Sequence, residues 1–313
     1  MPTIVTLTMN PAVDVSTAVP HVVPDRKLRC EAPRREPGGG GINVARAAHR
    51  LGVEAEAWFP VGGAGGELLQ RLLDAEGVRH TALPVQGWTR ENMNVLEQLS
   101  GRQFRFCVPG APLAAHEWPV FLERLRALSP APDFVVASGS LPPGVPVDFY
   151  AELARSAREL GSRLVLDTSG PALARGVEAG VYLLKPSLGE FRALTGSADE
   201  DESALIARAV EVVVQRQWCH VLLLSLGAAG AVLVTADERQ RFSAPAVPTA
   251  SAVGAGDSMV AGMLAGLCRG RSLRDAARFA VAAGAAAVMN PGTELCHRRD
   301  VERLEAQVVA SAV

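Results

Sequence analysis

Nowhere in this chain do two cysteines stand with only two residues between them. The five that occur, Cys30, Cys107, Cys219, Cys268 and Cys296, are odd in number and far apart. Neither a disulfide framework nor a cysteine zinc site is expected. The six histidines are also dispersed, with no His-x-x-x-His pair, and are read as structural or surface residues. An excess of one charge is lacking too: 31 basic and 33 acidic residues leave a formal net charge of -2. The basic side chains are scattered rather than interleaved with aromatics, so there is no electrostatic case for nucleic acid. Apolar stretches such as residues 280–289 fall short of the about 20 residues that a membrane helix needs. The opening Met1-Pro2-Thr3-Ile4 leads into no basic segment with a long apolar core, so no secretory signal is expected and the cytoplasm is the expected location. No repeat of solenoid length is visible.

What the chain does contain is apolar and evenly spread. With 313 residues, 48% hydrophobic and 20% charged, it can bury a large core, as one big domain or one domain with a smaller element. A β-branched run over 4–8 ends in Asn10-Pro11 and reads as a buried strand followed by a turn. Helices are expected over 43–51, stopped by Gly52, and over 67–76, closed by Gly77, with a strand over 54–59 between them. Short apolar runs at 134–137, 163–166, 181–184 and 221–224 read as further strands, with helical patterns at 147–160 and 202–216. This alternation predicts an α/β fold whose central, mostly parallel sheet is covered by helices on both faces. Two segments, 13–36 and 88–108, break the rhythm. In Arg102-Gln103-Phe104-Arg105-Phe106 polar and apolar residues alternate, as in a strand with one wet face. The two segments are read as a small antiparallel sheet outside the main core. Its basic residues Lys27, Arg29, Arg90 and Arg105 suit a lid over an anionic substrate. The acidic cluster Asp199-Glu200-Asp201-Glu202 is read as a solvated helix start without chemistry.

Chemistry concentrates in glycine-rich segments. Ala252-Val253-Gly254-Ala255-Gly256-Asp257-Ser258 runs into a helical stretch over 259–268. Its glycines permit a tight turn. The amides that open a helix lack intrahelical partners and, with the positive end of the helix dipole, form a site for an anion. A carboxylate in that place, Asp257, suits an acid that takes a proton from a hydroxyl attacking a phosphoryl group. The run Pro37-Gly38-Gly39-Gly40-Gly41-Ile42-Asn43 lets backbone amides approach a polyol, and Asn43 can both donate and accept; the alternative is a flexible loop. The run matches neither Gly-x-Gly-x-x-Gly nor Gly-x-x-x-x-Gly-Lys-[Ser/Thr], which disfavours a nicotinamide dehydrogenase and a Walker-type ATPase. Asp14 follows the first strand, where such sheets bind ligands, and is either a turn-former or a sugar ligand. In Lys185-Pro186-Ser187-Leu188-Gly189-Glu190 the serine and glutamate have the spacing of a capping box, so a nucleotide or metal role stays open there. Ser225-Leu226-Gly227-Ala228-Ala229-Gly230 is either the wall of a nucleotide pocket or a plain hairpin.

Taken in order, Gly38-Gly39-Gly40-Gly41-Ile42-Asn43-Val44-Ala45-Arg46, Ser138-Gly139-Ser140-Leu141-Pro142-Pro143-Gly144, Lys185-Pro186-Ser187 with Glu190, Ser225-Leu226-Gly227 and Val253-Gly254-Ala255-Gly256-Asp257-Ser258 resemble the PfkB, or ribokinase-like, sugar kinase family across nearly the whole chain. Thr6-Leu7-Thr8, Lys27-Leu28-Arg29-Cys30 and Trp88-Thr89-Arg90 resemble its branch acting on fructose 6-phosphate. The resemblance implies a ribokinase-like fold and ATP-dependent transfer of the γ-phosphoryl group to a sugar hydroxyl. It implies Asp257 as the base and the amides of Gly254, Ala255 and Gly256 as the anion hole. Asp14, Gly38, Gly39 and Asn43 fall at sugar contacts. Arg90 falls at the substrate phosphate, with Ser138 and Gly139 in the loop beneath. Arg29 and Arg105 are further phosphate contacts, one of them reaching across a dimer interface, and Lys27 approaches the sugar or the nucleotide phosphates. On the nucleotide side stand Lys185, Ser187, Glu190, Ser225, Gly227, Thr249, Ser251, Val281 and Gly284. Magnesium is expected through Glu190, although Ser187 replaces the asparagine usual in the family's Asn-x-x-Glu element. A homodimer through the lid sheet, where Phe104, Phe106 and Val108 alternate, is expected on the same ground.

Relatives that act on fructose 1-phosphate or tagatose 6-phosphate commonly carry lysine where this chain has Gly40. The expected reaction is therefore phosphorylation of fructose 6-phosphate to fructose 1,6-bisphosphate, a step of glycolysis, before tagatose 6-phosphate and then fructose 1-phosphate. A non-catalytic sugar-phosphate sensor on the same scaffold is the reading from a different class.

Overall fold

The structure, a computed structural model, describes residues 3–197 and 201–313, so Asp199 and Glu200 of the acidic cluster lie outside the described residues. In chain order the strands are β1 (Ile4–Leu7), β2 (Ala12–Val19), β3 (Arg34–Gly38), β4 (Ala55–Val61), β5 (His80–Pro84), β6 (Arg90–Glu97) and β7 (Gln103–Phe106). They continue as β8 (Phe134–Ser138), β9 (Arg163–Asp167), β10 (Val181–Leu184), β11 (Cys219–Ser225), β12 (Ala231–Val234), β13 (Arg239–Ser243) and β14 (Val309–Ala312). Among the described residues they form a sheet of ten strands, ordered β14-β13-β12-β11-β10-β9-β8-β1-β4-β5, and one of four, ordered β3-β2-β6-β7. Every pairing from β5 through β11 is parallel. The edge strands β12 to β14 add antiparallel.

Both faces of the large sheet are buried, and this explains its near-continuous apolar strands. Along β11, Val221 and Leu223 point into one hydrophobic cluster, Leu222 and Leu224 into the other. The first cluster is closed by the helices Gly40–Arg50, Ala255–Cys268 and Leu273–Val288. The last two approach closely because small residues line their contact. A Cβ on Gly262 would stand 2.8 Å from Ala283 Cβ, and one on Gly266 would stand 2.7 Å from Ala276 Cα. The helix that carries Asp257 is therefore held by backbone-level packing.

After β1 the chain builds outward through β4 to β5, then returns to the other side of β1 for β8 and continues to β11. The strand order thus reverses between β1 and β8. Ligands of open α/β sheets bind at the carboxyl ends of strands beside such a reversal.

The smaller sheet, called the lid for the role expected of it, departs from expectation at its centre. Its outer pairings, β2 with β3 and β6 with β7, are antiparallel, but β2 pairs with β6 in parallel. The reason is connectivity: β6 is reached only after β3, β4, β5 and two intervening helices, a crossover rather than a hairpin. Residues 20–33 of the first lid segment are mostly irregular and exposed, and they carry Lys27 and Arg29. Asp14 lies inside β2, not in a loop after the first strand.

Two helices also begin earlier than local signals indicate. Gly40–Arg50 starts within the glycine run, because the hydroxyl of distant Thr8 accepts a hydrogen bond from Ile42 N at 2.8 Å. That capping partner is invisible to a local scan. The second helix spans Gly63–Ala75 rather than starting at 67. The expected helix over 202–216 is split into Glu202–Val210 and a π-helical turn, Glu211–Gln215. Asp201 caps it, its carboxylate accepting from Ala204 N at 3.3 Å, as the solvated-start reading requires.

Candidate active site

The carboxyl ends of β8, β9 and β10 deliver Ser138, Asp167 and Lys185 to one place, and the helix Ala255–Cys268 points its N-terminus at them. Gly254 caps that helix with φ 77°, a conformation that favours glycine; a Cβ there would also strike Leu295. Among the described residues the amides of Gly254, Ala255 and Gly256 have no hydrogen-bond acceptor. Asp257 sits in the first turn. Its Oδ2 accepts from Asn43 Nδ2 at 3.0 Å, and its Oδ1 faces Ser138 Oγ at 3.5 Å. Burial, with Asp167 adding repulsion, pushes Asp257 up to about 7, while Asn43, Lys185 and Ser138 pull the other way. A carboxyl so poised can hold or release a proton near neutrality.

Lys185 is buried and pairs with Asp167 Oδ1 at 3.1 Å. Burial opposes its charge, but Asp167, Glu190 and Asp257 outweigh that and hold it protonated. A Cβ on Gly256 would come within 3.3 Å of Lys185 Nζ. The ammonium and the unpaired amides therefore flank the same anion-sized space. Such an arrangement can offset negative charge next to a carboxyl able to take a proton.

A second cluster lies on the lid. Asp14 on β2 is buried, and its Oδ1 accepts from Asn92 Nδ2 at 3.0 Å across the β2–β6 pair. Burial raises its pKa, while Asn92, Arg105, Arg90 and Arg46 counter the shift. Gly38 on β3 lies beside it, and a Cβ there would lie 2.5 Å from the Asp14 carboxylate, so only glycine leaves this carboxylate in place. Gly39, at φ 115°, lets the chain turn beside Thr8. Arg90 donates to the carbonyls of Val108 (2.6 Å), Asn10 (3.0 Å) and Pro11 (3.4 Å). Its charge is thus placed, and among the described residues it makes no carboxylate contact. Arg105, Lys27 and Arg29 are exposed, and among the described residues none has a hydrogen-bond or ion-pair partner.

On the far side of Asp257 a cavity of about 570 Å³ is lined by Ser225, Gly227, Thr249, Gly256, Val281 and Gly284, among others. The glycine turn Gly227–Ala229 is thus both the link between the antiparallel β11 and β12 and a cavity wall. Ser251 does not line this cavity. Its Oγ turns to accept from Val253 N at 3.2 Å, and it borders a smaller cavity of about 230 Å³ toward the lid. Ser187 and Glu190 form a true capping box: Glu190 Oε2 accepts from Ser187 N at 2.8 Å and Ser187 Oγ from Glu190 N at 3.3 Å. Among the described residues Glu190 Oε1 has no hydrogen-bond partner.

A family model described as pfkB family carbohydrate kinase matches residues 4–299. The chain belongs to this family. Among pfkB relatives, it is 46% identical over 302 residues to ATP-dependent 6-phosphofructokinase isozyme 2 of Mycobacterium tuberculosis, covering 96% of this chain and 88% of the relative. It is 40% identical over 304 residues to the isozyme 2 of Escherichia coli, covering 97% and 98%. A 1-phosphofructokinase of Rhodobacter capsulatus is 34% identical over 300 residues, covering 93% and 92%. Phosphofructokinase-2 from Escherichia coli, solved with substrates and products, superposes with a TM-score of 0.92 at 40% identity, covering 97% and 98%. A tetrameric inhibited form of that protein matches with a TM-score of 0.91 at 39% identity, covering 98% and 99%. The solved relative thus shares this chain's overall fold over nearly its full length.

Three polar residues in contact with candidate site residues were not picked out from sequence: Asp167, Asn92 and Arg46. Asp167 carried a signal, since it ends the apolar run Leu164-Val165-Leu166 at a strand's carboxyl end. Asn92 carried none, because its partner Asp14 is 78 residues away; Arg46 ends the quoted glycine motif and bonds nearby Asn43, but its clamp Glu76 is 30 residues away.

Proposed function

We propose that this protein is an ATP-dependent kinase that converts fructose 6-phosphate to fructose 1,6-bisphosphate. The observation that carries it is the Asp257 carboxyl, poised near neutral pKa at a helix start whose amides are unpaired and beside the Lys185 ammonium. Asp257 takes the proton of the sugar's C-1 hydroxyl as that oxygen attacks the γ-phosphorus. The bond from that phosphorus to the β–γ bridging oxygen breaks, and ADP leaves. The amides of Gly254, Ala255 and Gly256 and the Lys185 ammonium offset charge on the transferring group. The sugar is held by Asp14, Gly38, Gly39 and Asn43 over the loop Ser138-Gly139, and its phosphate by Arg90 with Arg29, Arg105 and Lys27 from the lid. The cavity by Ser225, Gly227, Thr249, Val281 and Gly284 takes the nucleotide, with Ser187 beside Ser225 at its margin.

Magnesium fits this donor set. Among the described residues no cluster of three or more metal-ligating side chains occurs, and Mg²⁺ characteristically takes one or two carboxylates plus waters and phosphate oxygens. Glu190 offers one free oxygen. When bound, the metal would neutralise charge on the phosphates.

Gly40 supports the choice of substrate. A Cβ there would overlap Ser138 Oγ, so no side-chain charge enters at this point and the phosphate must be met by the lid arginines. Tagatose 6-phosphate ranks below fructose 6-phosphate because relatives acting on it commonly carry lysine at this position, and fructose 1-phosphate, with its phosphate at the other end of the sugar, ranks below both. The lid's outer face supports a homodimer: Met93 is 46% and Phe106 54% exposed, and they face each other across β6 and β7. The five free cysteines suit the reducing cytoplasm, and no helix among the described residues is long and apolar enough to cross a membrane.

ADP release measured with each of the three sugar phosphates, with and without Mg²⁺, tests this reading. The largest kcat/KM is expected for fructose 6-phosphate. Tight binding of a sugar phosphate without ADP release would mark a sensor instead.

A further inference from the structure

Arg46 is fully buried, 0% exposed, a costly place for a cation unless every donor is met. Glu76 meets most of its charge in a two-pronged pair, Nε to Oε2 at 2.9 Å and Nη2 to Oε1 at 2.6 Å. Glu36 lies 3.9 Å from Nη2. Nη1 remains, and it donates to Pro37 O at 2.9 Å, Thr293 O at 3.2 Å and Asn43 Oδ1 at 3.2 Å. That last bond decides which way the Asn43 amide faces. The two ends of a primary amide are nearly equal in size, so neighbours choose between them. A guanidinium has donors only, so Oδ1 faces Arg46 and Nδ2 faces Asp257 Oδ2 at 3.0 Å. Turned over, the amide would set donor against guanidinium and oxygen against carboxylate. An arginine needed only to neutralise Glu76 would require neither Asn43 nor Pro37.

We propose that Arg46 is a positioning residue for phosphoryl transfer: through Asn43 it orients the carboxylate of Asp257, and through the Pro37 carbonyl it fixes the entry to the glycine run. The inference rests on Asp257 being the base. The other charged groups that face Asp257 are Asp167 and Lys185, and neither touches Arg46.

Arg46→Lys tests it, since lysine keeps the charge but cannot reach Glu76, Asn43 and Pro37 together. The expected loss in kcat is about tenfold, the scale of one misplaced hydrogen bond. KM for ATP should stay within about twofold, because uniform nucleotide binding is untouched. The acid limb of kcat/KM should move to higher pH, since Asp257 loses a bond that favours its charged form. In an Asn43→Ala background the same change should add little, because the route it acts through is gone. Glu76→Gln, at a partly exposed carboxylate, keeps the arginine and loosens its clamp; it should show the same pattern at smaller amplitude, even if the lysine variant fails to fold. A folded variant with wild-type kcat and an unmoved acid limb overturns the inference, as does a loss that persists in full without Asn43. If wild-type rates show no acid limb at all, the base assignment falls and the inference falls with it. A limb present in wild type yet unmoved in both variants leaves the base standing and Arg46 idle.

Discussion

The two walls of the candidate site are built on opposite plans. At the floor, Asp257, Asn43, Ser138 and Lys185 are held by partners inside the protein, and Asn43, Ser138 and Lys185 are buried. On the lid, Arg105, Lys27 and Arg29 are exposed and, among the described residues, have no side-chain hydrogen-bond or ion-pair partner. Asp14 is the exception there, buried and tied to Asn92. The floor resembles a preorganised site, whose dipoles need no rearrangement when charge develops. The lid offers charge without fixed geometry, which suits capture of an anionic group by long flexible side chains. The contrast predicts that floor substitutions change kcat and lid substitutions change KM.

The floor is most severely tested by Asp257→Asn. Loss of a general base costs about 10²–10⁴-fold, so kcat should fall in that range while KM for the sugar phosphate changes little. A comparable rise in KM would break the division between the walls. The same variant carries a stability test. Burial raises Asp257 from 3.8 to about 7 in the folded chain, so the folded state binds the proton more tightly than the unfolded state. That contribution is whole below the unfolded value and is lost as pH rises through about 7. Asparagine cannot ionise, so at pH near 8 the variant should be more stable than wild type by about 0.5–2 kcal/mol, an advantage that thermal melts should show shrinking toward pH 4.

Next in size is the pH profile of the unmodified protein. The base form of Asp257 is the active one, so kcat/KM should be flat above the value of about 7. Below it the rate should fall about tenfold per pH unit as the carboxyl is protonated. A profile flat down to pH 5 would remove Asp257 from the proton transfer.

The lid prediction follows. Arg105→Gln should raise KM for the sugar phosphate by about ten- to a hundredfold, the range for a lost charged hydrogen bond, with kcat near wild type. Added salt should weaken binding in wild type more than in the variant. Equal loss of kcat would show that Arg105 acts on the chemistry and that the walls are not separable.

The same contrast governs how far residues alone revealed the site. The floor motif around Asp257 was legible because its logic is local: glycines, a helix start and an acid lie within five residues. The parallel core was legible from its apolar runs. The lid's parallel centre was not, because β2 and β6 are joined through 70 residues of intervening chain and pairing direction leaves no mark in a single strand. Arg46 was equally hidden, since a buried arginine looks like any helical arginine until Glu76 is folded against it. The glycine run misled in one respect: its last two members open a helix, capped from β1's end by Thr8.

The smallest expected effect lies where the nucleotide cavity meets the floor. Ser187→Asn restores the residue usual in the family while keeping a good cap, because asparagine and serine are nearly equal at this position. Stability should therefore change by only a few tenths of a kcal/mol. In the present chain Ser187 spends its hydroxyl on Glu190 N, and Glu190 spends Oε2 on Ser187 N. If serine serves only as a cap, the Mg²⁺ concentration for half-maximal rate should stay within about twofold, since Glu190 keeps the same free oxygen. A larger fall would mean that an amide at this position organises the metal's water shell and that the capping box holds Glu190 back from it. The floor would then be less complete on its nucleotide side than around Asp257, and the division between a finished wall and an adaptable one would run through the floor itself.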